Sequence, residues 1–134
     1  MTDGTEKTPK ILIADDDPDL RKLLRAHLDT LNCEIVEAHD GEATLEAVIL
    51  ENPDLIVLDV MMPELNGWEI CKYIKSKPEY QHIGVVMLTG IGSAVNELTS
   101  PLYGADEYID KPFNIDELDF KVRKVLSARR HQEA

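Results

Sequence analysis

Asp54-Leu55-Ile56-Val57-Leu58-Asp59-Val60-Met61-Met62-Pro63 is the stretch on which the reading of this chain turns. Residues 55–58 are apolar without a break. That suits a parallel strand covered on both faces better than a strand with one wet face, where polar and apolar residues would alternate. The run stops at an acid, Asp59, and a loop through Pro63 and Gly67 follows. Upstream, residues 11–14 form a similar run that stops at Asp15, Asp16 and Asp17. Downstream, residues 83–88 stop at Thr89 and residues 108–110 stop at Lys111, while residues 33–37 supply one more short strand.

Helical signals fill the intervals. Pro18 occupies a first helical position with Asp17 as its cap, and Leu20, Leu23, Leu24, Leu28 and Leu31 recur at helical spacing, predicting a helix over 18–31. Asp40 caps a second helix carrying Leu45, Val48 and Ile49, which must stop before Pro53. Trp68, Ile70, Cys71 and Ile74 mark a third, closed by Pro78. Asn114 and Glu117 form a capping-box-like start to a last helix with Ile115, Leu118, Val122 and Val125 on its apolar face. Between the fourth and fifth strands, Gly90, Gly92 and Pro101 make a poor helix former, so the fourth helical segment is expected to be short or frayed by Ser100. Five strands alternating with five helical segments specify an α/β parallel sheet with right-handed crossovers and helices on both faces. In such sheets ligands bind at the carboxyl ends of the strands.

The 134 residues suit one domain, expected over 10–130, with a disordered lead-in at 1–9 and a short tail at 131–134. The 26 acidic residues against 14 basic ones leave a net charge of -12, the wrong sign for direct contact with nucleic acid. No apolar run is long enough for a secretory signal or a membrane span, so a cytoplasmic protein is expected. Cys33 and Cys71 lack CxxC spacing and read as reduced, and His27, His39, His82 and His131 are scattered without ligand-type spacing.

The residues that end the strands carry the chemistry. Asp15, Asp16, Asp59, Thr89 and Lys111 should meet at one edge of the sheet. Singly, each has an ordinary explanation as a helix cap or loop residue. Jointly, three close carboxylates would repel one another without a hard divalent cation, and an all-oxygen set points to Mg²⁺ (or Mn²⁺). A fixed positive charge and a hydroxyl donor beside them suit a phosphoryl group with several anionic oxygens.

The segments Ile-Leu-Ile-Ala-Asp-Asp-Asp-Pro at 11–18, Asp-Leu-Ile-Val-Leu-Asp-Val-Met-Met-Pro at 54–63 and Gly-Ala-Asp-Glu-Tyr-Ile-Asp-Lys-Pro-Phe at 104–113 resemble the three signatures of the response regulator receiver domain, the CheY-like family of two-component signalling. The resemblance implies a flavodoxin-like, doubly wound sheet of strand order 2-1-3-4-5 with five helices. It implies a phosphoacceptor signalling domain rather than an enzyme, one that assists only its own Mg²⁺-dependent phosphorylation and dephosphorylation. It makes Asp59 the phosphoacceptor, with Mg²⁺ bound by Asp16, Asp59 and the backbone carbonyl of Met61, and by Asp15 through water. Lys111 would pair with Asp59 and then with a phosphoryl oxygen, Lys111-Pro112 would be a cis peptide, and Thr89 and Tyr108 would form the switch. The implied partners are a sensor histidine kinase or a histidine phosphotransfer protein, an unidentified output protein, and a second copy of the chain in a phosphorylation-dependent homodimer. The signalling face would comprise the fourth helical segment, the fifth strand and the last helix, roughly 93–130.

The side chains two residues after Asp59 and Thr89 are Met61 and Ile91, both apolar. Neither can orient an attacking water, so slow self-dephosphorylation is expected. A phosphatase of the haloacid-dehalogenase class would carry a second Asp where Met61 stands. A receiver-like domain that no longer accepts phosphate should have lost one of the five site residues, and all five are present.

Overall fold

The computed structural model describes residues 8–62, 67–90 and 105–133, with side chains to residue 128. Its strands are β1 (Lys10–Ala14), β2 (Glu34–Ala38), β3 (Leu55–Asp59), β4 (Gly84–Thr89) and β5 (Glu107–Asp110). Its helices are α1 (Pro18–Leu28), α2 (Gly41–Glu51), α3 (Gly67–Ser76) and a final α4 (Ile115–Glu133). The fourth helical segment of the sequence reading, with Ile91, Gly92 and Pro101, lies outside the described residues.

All strand pairs are parallel, in the order β2-β1-β3-β4-β5 expected for the flavodoxin-like fold. Successive side chains point to opposite faces, so each unbroken apolar run feeds two cores. Leu12, Ala14, Ile56, Leu58, Val85 and Met87 pack with Val48 of α2 and with Ile70 and Ile74 of α3. Ile11, Ile13, Leu55, Val57, Val86 and Leu88 pack with Leu24 and Leu28 of α1 and with Leu118 and Val122 of α4. Each fully buried aliphatic side chain of this kind contributes roughly 1.5–3 kcal/mol. Cys33 and Cys71 are free and buried in different clusters.

The helix starts follow from capping chemistry. The Asp17 carboxylate accepts from the amides of Asp19 (2.9 Å) and Leu20 (3.4 Å), and Asp40 accepts from Ala43 N at 2.7 Å. Asn114 Oδ1 accepts from Glu117 N at 2.7 Å, while the Glu117 carboxylate pairs with Lys121 one turn further on. The first helix is shorter than its leucine spacing suggests. It ends at Leu28, tightens into a 3-10 turn over Asp29–Leu31, and is closed by Asn32 in the left-handed region at φ 59°. Leu31 still reaches the core from that turn. Strand β2 begins one residue later than the sequence suggests and β5 one residue earlier.

Register sets up the site. Ala14 stands beside Leu58, Asp59 beside Leu88, and Thr89 beside Asp110. The ladder continues past β5, where Lys111 N donates to Thr89 O at 2.6 Å. The residues immediately after β1 and β5, and the last residues of β3 and β4, therefore come to the same edge. No helix among the described residues is long and apolar enough to cross a membrane.

Candidate functional site

Asp15, Asp16 and Asp59 converge at that edge, each offering a carboxylate oxygen within 4.8 Å of the others. Asp15 and Asp59 are buried, and Asp16 faces solvent. Lys111 Nζ lies 3.1 Å from Asp59 Oδ1 and 3.7 Å from Asp15 Oδ2, so a single ammonium serves both buried acids. Two backbone amides from the following loops complete the first oxygens: Asp17 N donates to Asp15 Oδ1 at 2.9 Å, and Met61 N donates to Asp59 Oδ1 at 3.1 Å. Asp15 Oδ2 is buried and accepts no hydrogen bond among the described residues.

Burial pushes the Asp15 carboxyl up to about 6; the Asp17 amide opposes the rise, the Asp59 charge adds to it, and Lys111 draws it back. A buried acid with an unsatisfied oxygen and a carboxylate neighbour is held at some cost in the absence of further positive charge. The orphaned oxygen and the all-oxygen donor set fit a hard divalent cation.

The remaining candidates lie on the neighbouring strands and loops. Thr89 is fully buried at the end of β4. Tyr108 on β5 is half-buried, with its ring tilted against Trp68 of α3 at a centroid distance of 5.9 Å, and its carbonyl oxygen accepts from Lys121 Nζ at 2.6 Å. The Lys111-Pro112 peptide is cis. Met61 is 70% exposed beside the site. Leu20 packs against the α1–α4 core, and Pro112 is exposed.

Two residues have a part in this site that sequence reasoning missed. Gly67 starts α3 directly against the Asp59 backbone: its amide donates to Val60 O at 2.9 Å, and a Cβ there would collide with the Asp59 carbonyl oxygen and lie 2.8 Å from Val60 Cα. A glycine opening a helix just after a strand-end acid was the available signal. Arg21 of α1 reaches back to the Asp15 carbonyl oxygen at 2.7 Å. No local pattern distinguishes that arginine from an ordinary solvated helix charge.

A five-stranded sheet of this order, with an acid cluster and one lysine at its carboxyl edge, defines a class of phosphoryl-signalling domain. The chain belongs to the response regulator receiver domain family, whose profile matches residues 11–123. It is 39% identical over 117 residues to the ycf27 protein of Cyanophora paradoxa, a match covering 87% of this chain and 48% of that protein. It is 34% identical over 118 residues to the DNA-binding dual master transcriptional regulator RpaA of a Synechocystis strain, covering 88% of this chain and 49% of RpaA. The chain thus spans about half the length of the curated relatives it matches. Among solved structures it is similar to the receiver domain of Francisella response regulator 1452, with 32% identity, a TM-score of 0.82, and coverage of 90% of this chain and 98% of that one. The chemotaxis protein CheY4 of Vibrio cholerae is similar at 28% identity and a TM-score of 0.81, with coverage of 89% and 99%. The protein is a receiver domain of the kind found in two-component response regulators, and a phosphoacceptor role is what that family implies.

Proposed function

We propose that Asp59 is the phosphoacceptor, and that the domain takes a phosphoryl group from a histidine kinase or a histidine phosphotransfer protein. The observation that carries this reading is the convergence of Asp15, Asp16 and Asp59 with Lys111 at one strand edge. The Asp59 carboxylate attacks the phosphorus of a phosphohistidine. The new bond joins the Asp59 oxygen to phosphorus, the phosphorus–nitrogen bond breaks, and the departing imidazole takes a proton from solvent. Lys111, 3.1 Å from Asp59, neutralises the nucleophile's neighbourhood and then pairs with a phosphoryl oxygen. The buried Thr89 hydroxyl donates to another phosphoryl oxygen.

Asp16, Asp59 and the backbone carbonyl of Met61, with Asp15 acting through water, would hold Mg²⁺ or Mn²⁺. When bound, that ion supplies positive charge against the acceptor and the phosphoryl oxygens. The Asp15 oxygen without a donor supports this assignment.

Thr89 and Tyr108 form the switch. Thr89 closes on the phosphoryl group, and Tyr108 exchanges its packing against Trp68 for an inward position. The domain, assigned to 10–130, signals through β5, α4 and the segment before β5. Its acidity favours export of the signal by protein contact, either to an output protein or to a second copy. A cytoplasmic location suits a kinase-fed domain. Met61 and Ile91 leave the phosphoryl group long-lived because neither orients water.

The test is intact mass after incubation with Mg²⁺ and acetyl phosphate, with Asp59→Asn as the control. A gain of one phosphoryl group that requires Mg²⁺ and is absent from the variant is the expected result. No gain by the folded, Mg²⁺-loaded protein would overturn the reading and favour a domain whose contacts are independent of phosphate.

A further inference from the structure

The loop that carries Asp15 and Asp16 is anchored by one side chain from the next helix. Arg21, one turn into α1, folds back over the helix start. Its Nη1 donates to the Asp15 carbonyl oxygen at 2.7 Å, while its Nε donates to Glu37 Oε1 on β2 at 3.1 Å. The Arg21 side chain is 18% exposed and its bond to the Asp15 carbonyl is partly buried, while the Glu37 end of the bridge faces solvent. Two further backbone bonds tie the same short loop: Asp15 N donates to Ala38 O at 3.1 Å, and Arg21 N donates to Asp17 O at 3.0 Å.

We infer that Arg21, braced by Glu37, is a positioning residue for the acid cluster: it holds the β1–α1 loop so that Asp15 and Asp16 converge on Asp59, and thereby sets the affinity for a divalent cation. This rests on the proposed cation site above. Three carboxylates within 4.8 Å repel one another, and Asp16, exposed on a loop, is the acid freest to swing outward. A clamp on the Asp15 carbonyl oxygen opposes that splaying without occupying any carboxylate oxygen that a cation would use. The planar guanidinium suits the task because it presents donors to two acceptors in different directions; a lysine offers a point charge on a flexible stem.

Electrostatics alone predicts the opposite sign. A positive charge near a cation site disfavours the cation, so removing Arg21 should tighten binding if its charge were all that mattered. Arg25 provides a matched comparison. It pairs with the other oxygen of Glu37 and donates to Ile35 O at 3.4 Å, and among the described residues it makes no hydrogen bond or ion pair with the 15–17 loop. Deleting either arginine removes one positive charge beside Glu37, but only Arg21 touches the acid loop.

The experiment is calorimetric titration of the full chain with MgCl₂ at pH 7.5, with urea unfolding of each metal-free variant alongside. Arg21→Gln should weaken Mg²⁺ binding by roughly tenfold, the lower end for a residue that orients metal ligands. Arg21→Lys, which keeps the charge and loses the two-way bridge, should weaken it in the same direction and carries the test should the glutamine variant not fold. Arg25→Gln should bind as wild type or slightly tighter. Equal or tighter binding by both Arg21 variants, with wild type binding normally, overturns the inference while leaving the cation site standing. A wild type that takes up no Mg²⁺ overturns both together.

Discussion

Replacing Asp15 by Asn should stabilise the metal-free protein at neutral pH, although the residue sits in the acid cluster of the proposed site. In the folded state Asp15 is fully buried and its carboxyl is pushed up to about 6, first by burial, against an ordinary value of 3.8. Because the folded value is the higher one, the unfolded chain releases this proton first as pH rises. The folded state then binds more protons between about 4 and 6, and stability falls across that window. At about 1.36 kcal/mol per pH unit, the gap is worth on the order of 3 kcal/mol once Asp15 is fully ionised. Asparagine is neutral at every pH, keeps an oxygen to accept from Asp17 N, and turns an amide donor toward Asp59 where Asp15 Oδ2 now lacks one. Urea unfolding in EDTA at pH 8 should therefore show the Asn variant with its midpoint higher by roughly 1 M or more. The difference should shrink as pH falls from 6 to 4 and vanish below about 3.8, where the wild-type carboxyl is protonated in both states. Excess Mg²⁺ should raise wild type more than the variant, since cation binding to the native state adds stability by mass action. An equal or lower midpoint at pH 8 in EDTA, or a difference that ignores pH, would show that burial does not hold the Asp15 carboxyl above its ordinary range.

Gly67→Ala pushes a methyl group into the Asp59 carbonyl and should cost on the order of 1–3 kcal/mol in urea unfolding while slowing phosphorylation by acetyl phosphate, since the displaced backbone is that of the proposed acceptor; a loss below about 0.5 kcal/mol would show that the backbone yields freely. Asp106→Ala removes the carboxylate that accepts from Val85 N at 2.8 Å and from Lys75 Nζ at 3.0 Å, and should destabilise by about 1–3 kcal/mol, read from the same unfolding curves. Met61→Asn combined with Ile91→Glu should shorten the lifetime of the phosphorylated protein severalfold, followed by intact mass after removal of the phosphodonor, because both introduced side chains can orient water. A lifetime unchanged from wild type would count against water positioning as the limiting factor.

Much of this protein is written in consecutive residues. The unbroken apolar runs of β1, β3 and β4 need no partner to be recognised, because a strand buried on both faces cannot afford polar alternation. The caps at Asp17, Asp40 and Asn114 are equally local, since each serves amides two or three residues away. Asp15, Asp59 and Thr89 are legible for the same reason, since each directly ends an apolar run, whereas Lys111 follows Asp110 and stands out only as the residue after a short strand. The length of α1 was misjudged because Leu31 satisfies the helical period from a 3-10 turn, and period alone does not register where the turn tightens.

Other features depend on residues far apart in sequence. Strand order came from the resemblance, as alternation of strands and helices permits several orders. The Lys75–Asp106 tie and the Gly67 contact with the Asp59 backbone arise only when β3, β4 and their crossovers stack in register. The bracing of Arg21 by Glu37 needs β2 beside β1. Asp15 and Asp16 show the division most plainly. They are the same residue type, adjacent in the chain, and their local pattern specifies only that two acids follow a buried strand. Tertiary packing buried one against Asp59 and Lys111 and left the other in solvent, because desolvation and charge proximity are set by what folds over a residue rather than by the residue.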